Sequence, residues 1–367
     1  MNLKALVAGM GLLSIAASCS EDVTEQINTG SEIKFTTRMS RANAINSTAD
    51  LKEFTVFAEA EGYQGLFING ETATKEGESS TYNLAETYRW PSDAKSIEFW
   101  AYAPKEPAAG TTININGAHQ AQITGFAPAE YKYPSKTNSG ASHNDLIVAY
   151  SKVFKSESGS SVSLNFKHTL SQIELRAKLG TGNKNKYAVK IKGAWFRNIY
   201  GKGDLSFDDS EDNDNKFKWT NDDTKSLYGY SYDDAIQLGL NPTDLLSESN
   251  GKSGLMVIPQ DIAPWNIETD QENTGNGAYI LILCRIEVTH EGDEHNGDYV
   301  RPTDDGTGHI HQMFPTPDND KTFNENLYGY VCVPLTNPEG GWQAGKKYVY
   351  TLEFCGANSG AGLYPPT

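Results

Sequence analysis

Short runs of alternating aromatic and β-branched residues, punctuated by glycine and asparagine turns, constrain this chain more than any other feature. Phe54-Thr55-Val56-Phe57, Ile97-Glu98-Phe99-Trp100-Ala101-Tyr102 and residues 280–288 are typical. Residues with branched or aromatic side chains fit a pleated, half-buried surface, so each run predicts a strand. Between them lie Asn69-Gly70, Gly180-Thr181-Gly182-Asn183 and Asn337-Pro338-Glu339-Gly340-Gly341, which predict turns. The 34 glycines, 19 tyrosines and 14 phenylalanines suit the same architecture. Helical periodicity is scarce, and the best candidate is a short helix over residues 233–240. The fold class expected is all-β, as sandwiches or barrels.

One change of parity locates a boundary. Val162, Leu164 and Phe166 place apolar side chains on even positions, whereas Ile173, Leu175, Ala177 and Leu179 place them on odd ones. Side chains alternate faces along a strand, so the buried face switches between Leu170 and Ile173. A bulge does this, and so does a strand that leaves one core for another. The mid-chain position favours the second reading and divides the chain into domains at 32–171 and 172–367. Two polar stretches are expected to be loops. Residues 208–215 are almost wholly acidic or amide and should lie between strands at 205–207 and 217–219, and residues 289–327 are too long for a hairpin connection.

The N-terminus carries an address. Lys4 precedes an apolar run from Ala5 to Ala17, and Ala16-Ala17-Ser18 leads into Cys19. Such a run is too short to span a bilayer and reads as a secretory signal over residues 1–18. A cysteine directly after small residues reads as a lipidation site, making Cys19 the mature N-terminus and residues 19–31 a tether. An ordinary signal peptide with an incidental cysteine is the alternative. Ser20-Glu21-Asp22 resembles the acidic tag of surface-exposed bacterial lipoproteins, which places the protein at the outer face of an outer membrane. The formal net charge of −16 excludes nucleic acid as a natural partner.

Patterns that carry chemistry are weak. Setting Cys19 aside, Cys284, Cys332 and Cys355 are an odd number in strand-like runs, expected as buried thiols, with one disulfide plus a free thiol as the alternative. No Cys-x-x-Cys pair exists for zinc. The acidic run lacks the glycine and glutamate of a calcium loop. His290, His295, His309 and His311 cluster, with His309 and His311 on one strand face, but nothing fixes further ligands, so no metal and no cofactor is expected. Neither a Gly-x-Ser-x-Gly elbow nor a phosphate loop occurs. With 47 acidic residues a chance carboxylate pair carries no information, and the chain is read as a non-enzyme. Trp265, Tyr228, Tyr230 and Tyr232 are weak candidates for stacking on a sugar, with core or strand-edge positions the default for most of the aromatics.

Five segments in order carry a resemblance. They are residues 32–41 (EIKFTTRMSR), 164–175 (LNFKHTLSQIEL), 255–260 (LMVIPQ), 328–334 (YGYVCVP) and 342–354 (WQAGKKYVYTLEF). Together they resemble the Bacteroidales fimbrillin family, lipoprotein subunits of type V pili and their minor adhesins. The resemblance implies two transthyretin-like β-sandwich domains in tandem. It implies assembly in which a protease cuts after a basic residue beyond the first strand, that strand leaves, and a strand from a neighbouring subunit fills the groove. Here Ile33, Phe35 and Thr37 alternate as the displaced strand, and Arg41, with Arg38 as the second choice, is the cleavage site. The partners implied are other fimbrial subunits and a host or bacterial surface receptor. Relatives continue into a donor strand, whereas residues 356–367 are rich in glycine and proline and make a poor strand. That departure favours a tip or accessory subunit, unless the sequence is truncated. The alternative function is a monomeric surface lipoprotein that binds glycans.

Overall fold

The computed structural model describes residues 30–39, 51–129 except 78 and 118–119, 143–246 except 158–160, 182–186 and 209–215, and 254–356 except 271–273, 292–299 and 317–322. Cys19, Arg41, the signal segment and residues 357–367 lie outside the described residues. Among those described there are 21 strands and no α-helix.

The first part is a closed barrel. Its strands are β1 (Phe35–Met39), β2 (Glu53–Ala60), β3 (Ile68–Lys75), β4 (Thr81–Asn83), β5 (Ser96–Ala103), β8 (Ile147–Phe154) and β9 (Val162–His168), in the order β1-β4-β3-β2-β5-β8-β9 and back to β1. The intervening β6 (Thr112–Ile115) and β7 (Ala121–Phe126) leave the barrel for another sheet. Phe35, Phe54, Phe99 and Phe166 fill the interior with Ile33, Tyr82, Trp90 and Leu164.

The second part is two facing sheets. One contains β10 (Ser171–Leu179) between β15 (Thr243–Leu246) and β16 (Leu255–Val257) on one side and β21 (Lys347–Phe354) on the other. The other runs β14 (Lys225–Gln237), β11 (Tyr187–Tyr200), β17 (Tyr279–Glu291), β19 (Gly308–Phe314) and β18 (Val300–Pro302), with β20 (Gly329–Pro334) also paired to β17. Ile173, Leu175 and Ala177 from the first sheet meet Val189, Ile191, Phe196, Ile280 and Ile282 from the second. The parity switch falls where β9 ends in the barrel at His168 and β10 begins in the sandwich at Ser171.

A third sheet, β13-β12-β7-β6, draws from both sides of that point. β12 (Gly203–Phe207) pairs with β7 on one edge and with β13 (Phe217–Asn221) on the other. It covers the outside of the barrel, where Phe57, Trp100 and Tyr102 pack with Ile123, Phe126, Leu205, Phe217, Met256 and Ile258. The barrel strands beneath it are covered on both faces, which is why β2 is buried at five successive residues and reads as a near-continuous apolar run.

Two expectations are corrected. Residues 233–237 are the end of β14, not a helix: Ile236 and Gln237 pair with Ile191 and Lys190 of β11. The ladder partner, which local pattern cannot supply, outweighs a weak helical preference. Residues 289–327 are not one long loop, because β17 runs on to Glu291 and β18 and β19 continue the same sheet. These extensions are polar because most of their residues are only half-buried.

Candidate functional site

The site begins with what holds β1. Before the strand, residues 30–34 are clasped by the segment at 88–90. The Ile33 N–H donates to the Tyr88 carbonyl at 2.8 Å and the Trp90 N–H to the Ser31 carbonyl at 3.0 Å. Gly30 lies so close to Trp90 that a Cβ there would stand 2.1 Å from its carbonyl oxygen, so the close approach requires glycine.

β1 then runs parallel to β9 over five register pairs, from Phe35 opposite Val162 to Met39 opposite Phe166. On its other side it pairs antiparallel with β4 at only Phe35–Tyr82 and Thr36–Thr81. It is the strand that closes the barrel between β4 and β9. Of the expected buried face, Ile33 and Phe35 are in the core, Phe35 at 0% exposure, while Thr37 is half-buried. The Phe35 ring stands edge-on to Phe54 at 5.9 Å and to Phe99 at 5.8 Å. Phe54 in turn contacts Tyr82 and Phe166, each at 5.1 Å. Phe35 is thus the centre of an aromatic cluster to which four other strands contribute.

The far end of β1 is less enclosed. Arg38 is exposed and Met39 half-buried. The chain is next described at Leu51, whose carbonyl accepts a 2.6 Å hydrogen bond from the Tyr82 hydroxyl. β1 is therefore a short strand with an aromatic plug at its start and an exposed arginine near its end. Removing it would leave two adjacent unpaired edges, β4 and β9, over an apolar interior. That arrangement accepts an added strand through main-chain hydrogen bonds and alternate-side-chain pockets.

The other candidates do not join this site. Trp265 is buried at 2% exposure, its indole N–H donates to the Asp270 carbonyl at 2.9 Å, and its ring packs on Tyr279. Tyr228, Tyr230 and Tyr232 are core residues, and the hydroxyls of Tyr230 and Tyr232 both donate to the Leu245 carbonyl. All four are internal, the default expected of most aromatics, and none of them is exposed for stacking on a sugar. His290 lies opposite His309 across β17 and β19, with its ring 4.7 Å from that of His311. Among the described residues no group of three or more His, Cys, Asp or Glu side chains is placed to hold a metal ion. Cys284, Cys332 and Cys355 are free thiols. Burial pushes the Cys284 thiol up to about 12 and the Cys332 thiol up to about 11, so neither is a nucleophile near neutrality.

Sequence reasoning missed the residues that receive β1. Tyr82, on a three-residue strand, and Trp90 carried no strand signal, and only their contacts with residues 31–37 reveal them.

A family model described as fimbrillin-like matches residues 37–362. A solved fimbrial protein from Bacteroides vulgatus is similar at 18% identity, covering 88% of this chain and 95% of its own, with a TM-score of 0.53. At that identity the likeness establishes a shared fold. A candidate cell adhesion protein from Bacteroides uniformis aligns at 15% identity over 88% of this chain and 93% of its own, with a TM-score of 0.37. Among curated proteins, none matches the chain.

Proposed function

We propose that this chain, which belongs to the fimbrillin-like family, is a surface pilus or adhesion subunit whose barrel is opened by proteolysis and refilled by a strand from a neighbouring subunit. In this reading Cys19 is the lipid anchor in the outer membrane. The first strand, with Ile33, Phe35 and Thr37, plugs the barrel during export. Cleavage after Arg41, or after Arg38, frees it. The protein's role is structural and adhesive, and its partners are other fimbrial subunits and a surface receptor.

The observation that carries the reading is that β1 alone closes the barrel between β4 and β9 while Phe35 fills the interior. An N-terminal strand that both completes a sheet and plugs a core is the element whose loss creates an acceptor. Main-chain pairing along β9 gives the acceptor its affinity, and the space vacated by Phe35 gives it selectivity for a large apolar side chain.

The test uses the full chain with Cys19→Ser and an arginine-specific protease. The expected result is a cut after Arg41 or Arg38 and release of the preceding peptide. A synthetic peptide of residues 30–39 should then bind the trimmed protein, and a Phe35→Ala version should bind far more weakly. A protein that stays intact, or that loses the segment without gaining any affinity for the peptide, would refute the proposal.

A further inference from the structure

The last strand of the sandwich presents a second acceptor, independent of β1. β21 pairs with β10 in parallel over eight residues, from Gln172 opposite Lys347 to Leu179 opposite Phe354. Among the described residues no strand pairs with its other edge. The first part of the chain shows what that position normally holds. β9 also runs parallel to the first strand of its sheet, and β8 covers its outer edge, with Ile147 and Val148 opposite His168 and Lys167.

The hydrogen-bond phase of β21 can be read directly. The Gln172 N–H donates to the Lys346 carbonyl and the Gly180 N–H to the Phe354 carbonyl, both even-numbered acceptors. Main-chain groups alternate direction along a strand, so the odd-numbered residues turn theirs away from β10. Lys347, Val349, Thr351 and Glu353 therefore offer their N–H and C=O groups to the open edge. This edge has no proline, glycine or register shift to protect it, and its charges lie only at its two ends, Lys347 and Glu353. Residues 348–352 carry no charge, and Val349 is 45% exposed.

We propose that this edge docks the same edge of a second copy of this chain, antiparallel and about a two-fold axis through Tyr350. In that register Lys347 faces Glu353 of the other copy, Val349 faces Thr351, and the charged pair occurs twice by symmetry. All four facing residues have their main-chain groups in the correct phase for an antiparallel ladder. A shift of two residues in either direction breaks the match between Lys347 and Glu353. Each charge already has a partner within its own copy, Lys347 with Glu174 at 2.7 Å and Glu353 with Lys178 at 2.8 Å. Docking joins these pairs into a chain of alternating sign, Lys178–Glu353–Lys347–Glu174, running between the copies. Complementary charges opposite one another in a ladder favour this register over its neighbours.

Sedimentation of the full chain with Cys19→Ser tests the idea. The expected result is a monomer that becomes a dimer with rising concentration, at or below about 1 mM. Val349→Pro and Thr351→Pro each remove an N–H that β10 does not use, so both should keep the circular dichroism and melting temperature of the parent yet stay monomeric. Glu353→Lys sets like charges opposite Lys347 and should weaken association about tenfold. Mixing Val349→Cys with Thr351→Cys protein under oxidation should give the mixed dimer faster than either alone gives a homodimer. A monomer at every concentration overturns the proposal, as does a dimer that survives both proline variants. Slow exchange of the Val349 and Thr351 amides in a monomer overturns it as well, because the chain then covers its own edge. None of these outcomes depends on the trimming of β1.

Discussion

Each half of the molecule starts with a strand that lies parallel to the last strand of that half, β1 beside β9 and β10 beside β21. The topology is the same, but the holding differs. β10 is chain-internal, pairs with β21 over eight residues, and is flanked on its other side by β15 and β16. Its buried Glu174 is tied to Lys347 of β21. β1 has five pairs on one side and two on the other, and its anchorage is concentrated in Phe35. One pairing pattern therefore yields both a strand held along most of its length on two sides and a strand held by fewer pairs. The difference lies in how many neighbours share the ladder and where the chain runs next.

The largest expected effect comes from breaking the fixed strand. Glu174→Pro removes a donor facing β21 in the middle of a strand paired on both sides, where proline is essentially not found, and also removes a buried charge partner. It should give no soluble folded protein, seen as loss of the β-sheet circular dichroism signal. Phe35→Ala is next: it empties the centre of the barrel cluster and should cost about 3–5 kcal/mol. Urea unfolding followed by tryptophan fluorescence should show the barrel losing stability while the sandwich transition stays in place.

A smaller effect tests how the two regions are joined. His143, on the segment leading into β8, accepts a 3.1 Å hydrogen bond at Nδ1 from the Met256 N–H of β16 and packs against Tyr228. Burial holds its pKa down to about 4. The neutral ring is favoured in the folded state, while the unfolded chain takes up a proton near its ordinary value of about 6.5. The contribution is therefore fully present above about pH 6.5 and is lost as the pH falls towards 4. It amounts to about 1–3 kcal/mol. Comparing the urea midpoints of the parent and His143→Gln between pH 7 and pH 4.5 should show the parent losing more stability over that range.

The smallest effect costs no stability. All three described thiols belong to the sandwich: Cys284 and Cys332 are buried and Cys355 is half-buried. At pH 8 Cys355 should label first and the other two only on unfolding. Removal of β1 should leave that order unchanged, because the barrel contains none of them.

Much of this was legible locally. Alternation at Ile33, Phe35 and Thr37 marked the first strand, and the parity change between Leu170 and Ile173 marked where one sheet ends and another begins. The strands flanking the acidic run, at 205–207 and 217–219, were equally plain and do pair with each other. These are signals a strand carries within itself, since period two records only which faces are buried. The same rule explains the failures. Residues 233–237 extend β14 because β11 lies beside them, and residues 300–302 and 308–314 are strands because β17 runs on past Val288. Trp265 looked available because an aromatic in a polar stretch is the same letter whether it faces solvent or the core.

The sequence by itself determined the class of fold, the place where one sheet gives way to another and the chemistry of its first strand. Tertiary structure alone decided that β1 closes a barrel, that β12 and β13 cross over to cover it, and that no described strand pairs with the outer edge of β21. Burial pattern is written residue by residue, but the partners that close each half, β9 for β1 and β21 for β10, lie more than a hundred residues away. Only the folded chain makes that choice.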